Sequence, residues 1–250
     1  KKMKKSMLIG LALGVVALTA TAAFAGIETS KHDLSSTGAS ASLGNDPQDR
    51  ICVYCHHPHN TVRADSAGAF GYSPLWNRDI PATALFTAYS NSVGDTMMGT
   101  TSSAKHLMNG TPAIGGVSLL CMSCHDGSTA MNAFSNLNPQ GATGSFVPGL
   151  ATGSDVITGV AALGFDLSNH HPIGMSWDDV TTNDNEIAQK TDVFRNTAIT
   201  IGSVLTGGDI MECSSCHDVH NSDDAARNNA ERFLWTANAR SEFCLSCHIK

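Results

Sequence analysis

The pattern Cys-X-X-Cys-His occurs four times in this chain and uses all eight of its cysteines. The four copies are Cys52–Cys55–His56, Cys121–Cys124–His125, Cys213–Cys216–His217 and Cys244–Cys247–His248. The two residues between the cysteines share no chemistry from copy to copy, so only the spacing and the histidine are repeated. A fold for this chain must therefore place four thiol pairs, each with its adjacent imidazole, where they can act together.

This spacing is the attachment signature of c-type haem. The two thiols form thioether bonds to the porphyrin, and the adjacent imidazole becomes the proximal iron ligand. The sequence therefore predicts four haem c groups bonded to all eight cysteines, with the motif histidines as proximal ligands. Disulfides or Cys₄ zinc sites would use the same cysteines, but neither requires a histidine after every second cysteine. A redox-active dithiol would normally occur once, near a βαβ pattern.

Residues 1–25 have the features of a secretory signal peptide. A basic start is followed by an uncharged apolar run from Met7 to Thr21 and by the small-residue cleavage site Ala23-Phe24-Ala25. We therefore expect a signal peptide over residues 1–25 and one tetrahaem cytochrome c domain over residues 26–250. A membrane anchor is the alternative, but the run lacks a stop-transfer flank, so no membrane span is expected after cleavage. Covalent haem attachment occurs outside the cytoplasm, which agrees with export.

The composition limits both the partners and the fold. The formal net charge is −7, and loss of the leader, with four of 15 basic and none of 22 acidic residues, would leave about −11. Such a charge argues against nucleic acid as a partner. Aromatic residues make up only 6% of the chain, so four haems would have to supply much of the apolar interior. We expect a mostly irregular chain with a few short α-helices and little β-structure, wrapped around a four-haem core.

Local signals predict a short helix at each motif. Residues that favour helix N-termini precede the four motifs, namely Asp46, Ser118, Asp209 and Ser241. Helices this short are marginal alone, so the thioether bonds would have to hold them. A longer helix is predicted over residues 223–240, and a weak strand pair over residues 196–206.

Seven histidines lie outside the motif positions: His32, His57, His59, His106, His170, His171 and His220. His59 and His220 each lie three residues beyond a proximal ligand, about one helical turn along the same face. Neither can reach the opposite face of the haem that its neighbour holds, so each would bind a different haem or none. His171 precedes a proline, which favours an extended segment and an accessible side chain, although His170 competes with it.

Two further groups of side chains remain open as ligands. His106 is a fifth serious candidate among the histidines. The nine methionines are less favoured, because enough histidines are present to supply a second ligand to every haem.

Several segments together resemble a known family. These are residues 30–35, Cys52 to Asn60, Pro74-Leu75-Trp76-Asn77, Leu120 to Gly127, His171-Pro172, Cys213 to Asn221 and Cys244 to His248. They are similar to tetrahaem c-type cytochromes of dissimilatory metal-reducing bacteria, and the match spans most of the mature chain. The haem motifs are specific, whereas the linkers are much less so. The family includes outer-surface cytochromes of the OmcE-like kind, which polymerise into filaments with a continuous haem chain.

The resemblance implies bis-histidine haems and long-range electron transfer to extracellular acceptors such as metal oxides or electrodes, with other redox proteins as partners. Carried over by position, it implies that the distal iron ligands are His32, His59, His171 and His220. It also implies a homopolymeric filament at the outer cell surface or outside the cell. For such a filament we expect His59 to be donated to the last motif, at His248, of a neighbouring subunit, with His32 as the alternative donor. The competing arrangement is a closed monomer in which all four distal ligands are internal.

Three classes of function are compatible with four haems: an electron conduit, a multihaem reductase, and a haem-based sensor or storage protein. A reductase needs an open iron position at which substrate binds. The surplus of histidines and the absence of a Cys-X-X-Cys-Lys variant argue against such a position. We therefore expect an electron-transfer protein that is not an enzyme. The alternative within this class is a monomeric periplasmic shuttle.

Overall fold

The computed structural model describes residues 26–28, 30–44, 49–56, 75–89, 114–131, 133–134, 156–220 and 233–249. Within these ranges most of the backbone is irregular, with short helices and one small sheet. The coarse form of the predicted fold class is therefore confirmed. The predicted signal peptide at residues 1–25 lies outside the described residues.

The regular elements are short. The α-helices are Gly116–His125 (α1), Trp177–Asn183 (α2), Ile201–Val204 (α3), Cys213–Cys216 (α4) and Cys244–Cys247 (α5). The 3₁₀-helices are Ile51–Tyr54, Thr83–Leu85, Gly159–Ala161 and Ala239–Ser241. Strands Met175–Ser176 (β1) and Ile210–Met211 (β2) pair antiparallel, with Met175 opposite Met211. In the described part of the chain, no helix is both long and apolar enough to cross a membrane.

Among the residues that the structure describes, the buried apolar side chains form three separate clusters rather than one core. The largest contains Trp177, Val180, Ile187, Ala188, Phe194, Ile201, Val204, Leu205 and Met211. The second contains Leu34, Tyr54, Met131 and Phe134, and the third Ile114, Leu119, Met122 and Leu167. Motif cysteines pack at the edges of two clusters, Cys216 and Cys247 against the first and Cys124 against the second. Three of the four motifs thus contact the edge of an apolar cluster through a cysteine.

All four motifs lie on short helices, as predicted, but the helices begin at other residues than expected. The observed N-terminal flanking residues are Arg50, Gly115, Glu212 and Phe243. Of the predicted capping residues, Asp46 lies outside the described residues. Ser118 lies inside α1, and Ser241 has a positive φ of 64°.

Asp209 caps a different helix from the one predicted. Its carboxylate accepts hydrogen bonds from the Asp178 backbone N–H at 2.9 Å and from the Ser176 hydroxyl at 2.7 Å. Asp178 lies in the first turn of α2 and Ser176 is the N-cap residue of that helix, so Asp209 stabilises the start of α2 instead of α4. Sequence spacing alone could not reveal this, because the two segments meet only through the pairing of β1 with β2.

Two other local predictions were wrong in the described residues. The stretch 196–206 contains α3 rather than a strand pair, and its only β-contacts are isolated bridges from Thr200 to Val193 and from Thr206 to Ile210. Of the helix predicted over residues 223–240, residues 223–232 lie outside the described part. Residues 233–240 form no α-helix, since Leu234 bridges to His217 and Arg240 has a φ of 54°.

Candidate functional site

Three motifs are built on one repeated local unit. In each, the histidine N–H donates to the carbonyl of the first cysteine, from His56 to Cys52 at 2.8 Å, His217 to Cys213 at 3.0 Å and His248 to Cys244 at 2.9 Å. The same histidines form single antiparallel bridges to Trp76, Leu234 and Ile187, which are all buried. Each motif is therefore one helical turn whose histidine leaves in an extended conformation.

The residue after each bridge partner completes this unit. Asn77, Trp235 and Ala188 donate their backbone N–H to the carbonyl of the second cysteine, Cys55, Cys216 and Cys247, at 2.9, 3.2 and 2.9 Å. A single helical turn leaves its carbonyls without intrahelical partners, and these bonds supply one. The short helices are thus held by neighbouring extended segments.

The structure brings together three pairs of histidine side chains. The ring centres are 6.0 Å apart for His32 and His125, 6.0 Å for His56 and His220, and 6.2 Å for His171 and His248. Each pair joins a motif histidine to a histidine that was predicted as a distal ligand. The members of each pair come from different parts of the chain.

The spacing within the pairs suits a shared metal ion. Two imidazoles bound on opposite sides of one ion, each through a nitrogen about 2 Å from it, have ring centres about 6 Å apart. Direct ring stacking would bring the centres closer, as it does for His32 and Phe233 at 4.7 Å and 9°. The three observed separations match this metal-bridged spacing, and they also lie in the range of direct edge-to-face ring contacts.

Backbone carbonyls orient two of these imidazoles. Nδ1 of His125 lies 2.7 Å from the carbonyl oxygen of Ala161, and Nδ1 of His171 lies 3.0 Å from that of Pro172. With Nδ1–H as the donor, Nε2 carries the lone pair that binds a metal. Metal-binding histidines commonly make such a bond through their other ring nitrogen.

His32 is held in the neutral form. Burial, followed by the nearby His125, His217 and His220, lowers the pKa of His32 to about 4. The ring also stacks on Phe233, a buried side chain. Since only a neutral imidazole can bind a metal ion, this environment suits a ligand.

The eight cysteines are all free and all lie within the described residues. Burial raises the pKa of the second thiol in every motif, to about 12 for Cys55, Cys216 and Cys247, and above its ordinary value for Cys124. In contrast, Cys52 and Cys244, which are first cysteines, are exposed. The second thiol is therefore partly buried in all four motifs. In the first and fourth motifs, the first cysteine is exposed.

Thiols of successive motifs approach each other. A hydrogen bond from Cys121 to Cys213 raises the pKa of Cys121 and lowers that of Cys213. After burial, the next contribution that raises the pKa of Cys55 comes from Cys124. For Cys216 that second contribution comes from Cys247. The thiols of the second and third motifs are thus in contact, and those of the first and second and of the third and fourth motifs lie close enough to interact electrostatically.

A buried carboxylate fixes the contact between the second and third motifs. Glu212 is 3% exposed and accepts hydrogen bonds from the backbone N–H and the hydroxyl of Ser118, while that hydroxyl accepts from the Cys213 N–H at 3.0 Å. Burial raises the pKa of Glu212 to about 7, although the bonds from Ser118 act in the opposite direction. At Gly116, with a φ of +51°, a Cβ would lie only 2.8 Å from Oε1 of Glu212. The network therefore joins α1 to α4 at close range.

A mostly apolar cleft lies beside the third motif. It has a free volume of about 220 Å³, and its lining includes Cys213, Cys216, His217, Met211, Leu167 and Tyr89. His170 and His171 also line it. The cleft therefore offers a mostly apolar surface with a few polar groups beside His217.

A buried donor near the first motif also fits such a group. Nε1 of Trp76 is buried and has no hydrogen-bond acceptor among the described residues. The ring of Trp76 lies edge-on to His56, with centres 5.8 Å apart. An anionic side group of a cofactor bound at His56, such as a haem propionate, would supply the missing acceptor. The described residues contain no cluster of three or more His, Cys, Asp or Glu that could hold a metal ion directly.

The remaining predicted ligands are less defined. His59, together with His57 and His106, lies outside the described residues. His170 is exposed and lines the cleft, but it belongs to none of the three histidine pairs described above. The sequence analysis assigned no role to three buried polar groups, and no local pattern marks them. These are the side chains of Arg78 and Glu212 and the Nε1 atom of Trp76.

Comparison with protein-family models gave no match for this chain, and a search of curated protein sequences gave none either.

Proposed function

We propose that this chain is an electron-transfer protein with four covalently attached haem c groups and no catalytic activity. The observation that carries the proposal is the set of three imidazole pairs at 6.0–6.2 Å, each joining a motif histidine to a histidine outside the motifs. The motifs account for attachment, and the pairs account for axial ligation. When bound, the haems supply one-electron chemistry, in which electrons pass between neighbouring irons that alternate between ferric and ferrous states.

The pairs support a specific assignment of ligands. His32 is the distal partner of His125, His220 of His56, and His171 of His248. All eight cysteines form the thioether bonds. With both axial positions filled by imidazole, no substrate reaches iron, which favours electron transfer over a reductase.

By elimination, His59 is the expected distal partner of His217. It is the one predicted distal ligand not assigned to another motif. His170 is the competing candidate, because it lines the cleft beside His217. The variants His59→Ala and His170→Ala distinguish the two candidates. Loss of the true ligand should leave one haem high-spin, whereas the other replacement should leave all four haems low-spin.

The proximity of thiols in successive motifs supports an electron path through the motifs. Cys121 and Cys213 are hydrogen-bonded, and Cys55 and Cys216 lie near enough to Cys124 and Cys247 to affect each other electrostatically. The pairing of His220 with His56 also brings the third motif near the first. The attached haems would therefore be closely grouped, as electron transfer between them requires.

The remaining parts of the proposal come from the resemblance and from the leader pattern. We propose export to the outer surface or beyond, assembly into a homopolymeric filament, and extracellular metal oxides or electrodes as acceptors. The second candidate is a monomeric periplasmic shuttle. Negative-stain microscopy of purified protein and of shed surface material separates them, since only the first predicts filaments.

The central proposal is tested on the exported protein. Intact mass should show four haem groups, and a Cys216→Ala, Cys213→Ala double variant should carry three. Reversible redox titration should show four one-electron steps. Fewer than four attached haems in the unmodified chain, or a haem that cannot be reduced and reoxidised, would overturn the proposal.

A further inference from the structure

Arg78 carries a fully buried charge between the first two motifs. Its side chain is 0% exposed and donates to the carbonyl of Ser123 at 3.0 and 3.3 Å, to that of Ala130 at 2.8 Å and to that of Met131 at 2.6 Å. The guanidinium also lies over the ring of Phe134, 5.8 Å from its centre. Every one of these partners is neutral.

The position of Arg78 is fixed from both motifs. Its neighbour Asn77 donates its backbone N–H to the carbonyl of Cys55 at 2.9 Å and its side-chain amide to that of Val53 at 2.7 Å. On the other side, Ser123, which accepts two of the guanidinium bonds, directly precedes Cys124. The charge is therefore held between the thiols Cys55 and Cys124.

The neutral carbonyls satisfy the N–H donors of Arg78, but they do not explain why a positive charge is buried there. Ser123 lies near the end of α1, where carbonyls lack intrahelical partners and a cation is favourable. Burying a charge without an opposite charge is nevertheless costly. Within the described residues no carboxylate pairs with Arg78, so a neutral donor would satisfy the same carbonyls at lower cost.

We propose that Arg78 is a positioning and tuning residue that raises the reduction potential of the two haems attached at the first and second motifs. This inference rests on the proposed function. Reduction of ferric to ferrous iron removes one positive charge, so a nearby fixed cation favours the reduced state. The effect is strong because the charge is buried, where neither water nor salt screens it.

Spectroelectrochemical titration of the fully haem-loaded protein tests this. In Arg78→Met, two of the four haems should become harder to reduce, and their ferrous-to-ferric ratio at a fixed potential should fall about tenfold, as expected for loss of a unit charge roughly 10 Å away at an effective dielectric constant of about 20. The other two haems should change much less. Arg78→Lys should retain most of the original potentials, because it retains the charge.

Arg195 provides the matched control. Its Nε donates to the carbonyl of Leu245, inside the fourth motif, as Arg78 does to Ser123 in the second, but Arg195 is exposed. Arg195→Met should therefore leave all four potentials nearly unchanged, because solvent screens its charge.

Arg78→Gln covers the case in which Arg78→Met does not fold, since glutamine keeps a donor without the charge. Equal potentials in Arg78→Gln, Arg78→Lys and the unmodified protein would overturn the inference while leaving the proposed function intact. Loss of reversible reduction in the unmodified protein would instead overturn the proposed function itself.

Discussion

The rings of His56 and His220 lie with their centres 6.0 Å apart and their planes at 29°, although His220 follows the third motif and His56 ends the first. The His220 segment is held in part by its carbonyl, which accepts from the Gly26 N–H at 3.1 Å. A histidine one turn beyond His217 therefore lies against another motif's proximal imidazole. If each motif binds haem, this arrangement links the third motif to the haem of the first.

Replacing His220 with methionine should change the haem at Cys52–Cys55 rather than the haem at Cys213–Cys216. Methionine opposite histidine raises the reduction potential of haem iron, so one of the four potentials should increase. Redox titration of His220→Met measures this. In a Cys52→Ala, Cys55→Ala background, which lacks the first haem, the increase should be absent. An increase that persists there would disprove the pairing with His56.

Replacing His32 with alanine should open one iron position. The unmodified ferric protein should show only low-spin haem, and its reduced form should bind carbon monoxide poorly, because both axial positions are filled. His32→Ala should gain one carbon monoxide site per chain, at the haem of Cys121–Cys124 opposite His125. Optical spectra with and without carbon monoxide measure both states. A stoichiometric high-spin signal in the unmodified protein would instead favour a reductase.

Glu212 should make the stability of the fold depend on pH. Its pKa is raised from 4.5 to about 7 by burial, so the folded state holds a proton that the unfolded state releases. The stabilisation from this proton is complete below pH 4.5 and is lost as the pH rises through 7, by about 3 kcal/mol in all. Glu212→Gln mimics the protonated form and should remove this loss. Urea unfolding between pH 4.5 and 7.5 measures it.

Over the same pH range, His32 changes the free energy of unfolding in the opposite direction to Glu212. Its pKa is lowered to about 4, so its contribution is present above pH 6.5 and falls as the pH is lowered. Because His32 contributes equally to both proteins, its contribution cancels when the free energy of unfolding of Glu212→Gln is subtracted from that of the unmodified protein at each pH. A difference that stays constant with pH would show that Glu212 does not change protonation on unfolding.

The repeated motif gave correct predictions where the chemistry is local. Capping-type residues predicted a short helix at each motif, and the helices are present although they begin at other residues. The one-turn relation of His220 to His217 predicted that His220 would bind a different haem or none. Its ring lies beside His56 of the first motif, and the ligation itself stays a prediction. These inferences need only the geometry of a single turn. The coarse fold class also followed, because a chain poor in aromatic residues cannot fill one large core.

Long-range contacts were not predictable in the same way. Asp209 was expected to cap the helix that follows it, yet it caps α2, because β1 and β2 place the two segments side by side. Arg78 and Glu212 carry charged side chains, which would be expected at the surface. Their burial depends on which motifs meet, and no periodicity in the sequence encodes that.

His171 lies beside His248 in the same chain, and this changes what we expect of His59. The last motif was expected to receive His59 from a neighbouring subunit, but a histidine of the same chain already lies 6.2 Å from His248. Three pairs are formed within a single chain, so we expect the fourth distal ligand to be internal as well. Filaments, if they form, would then be joined by contacts other than an iron–histidine bond.

Dilution tests this expectation. If all four distal ligands are internal, the ferric protein should remain entirely low-spin at any concentration, including those at which filaments dissociate. His59→Ala should then show one high-spin haem, at Cys213–Cys216, and should still assemble. An unmodified protein that gains one high-spin haem per chain on dilution, together with a His59→Ala protein that no longer assembles, would show that His59 is donated between subunits.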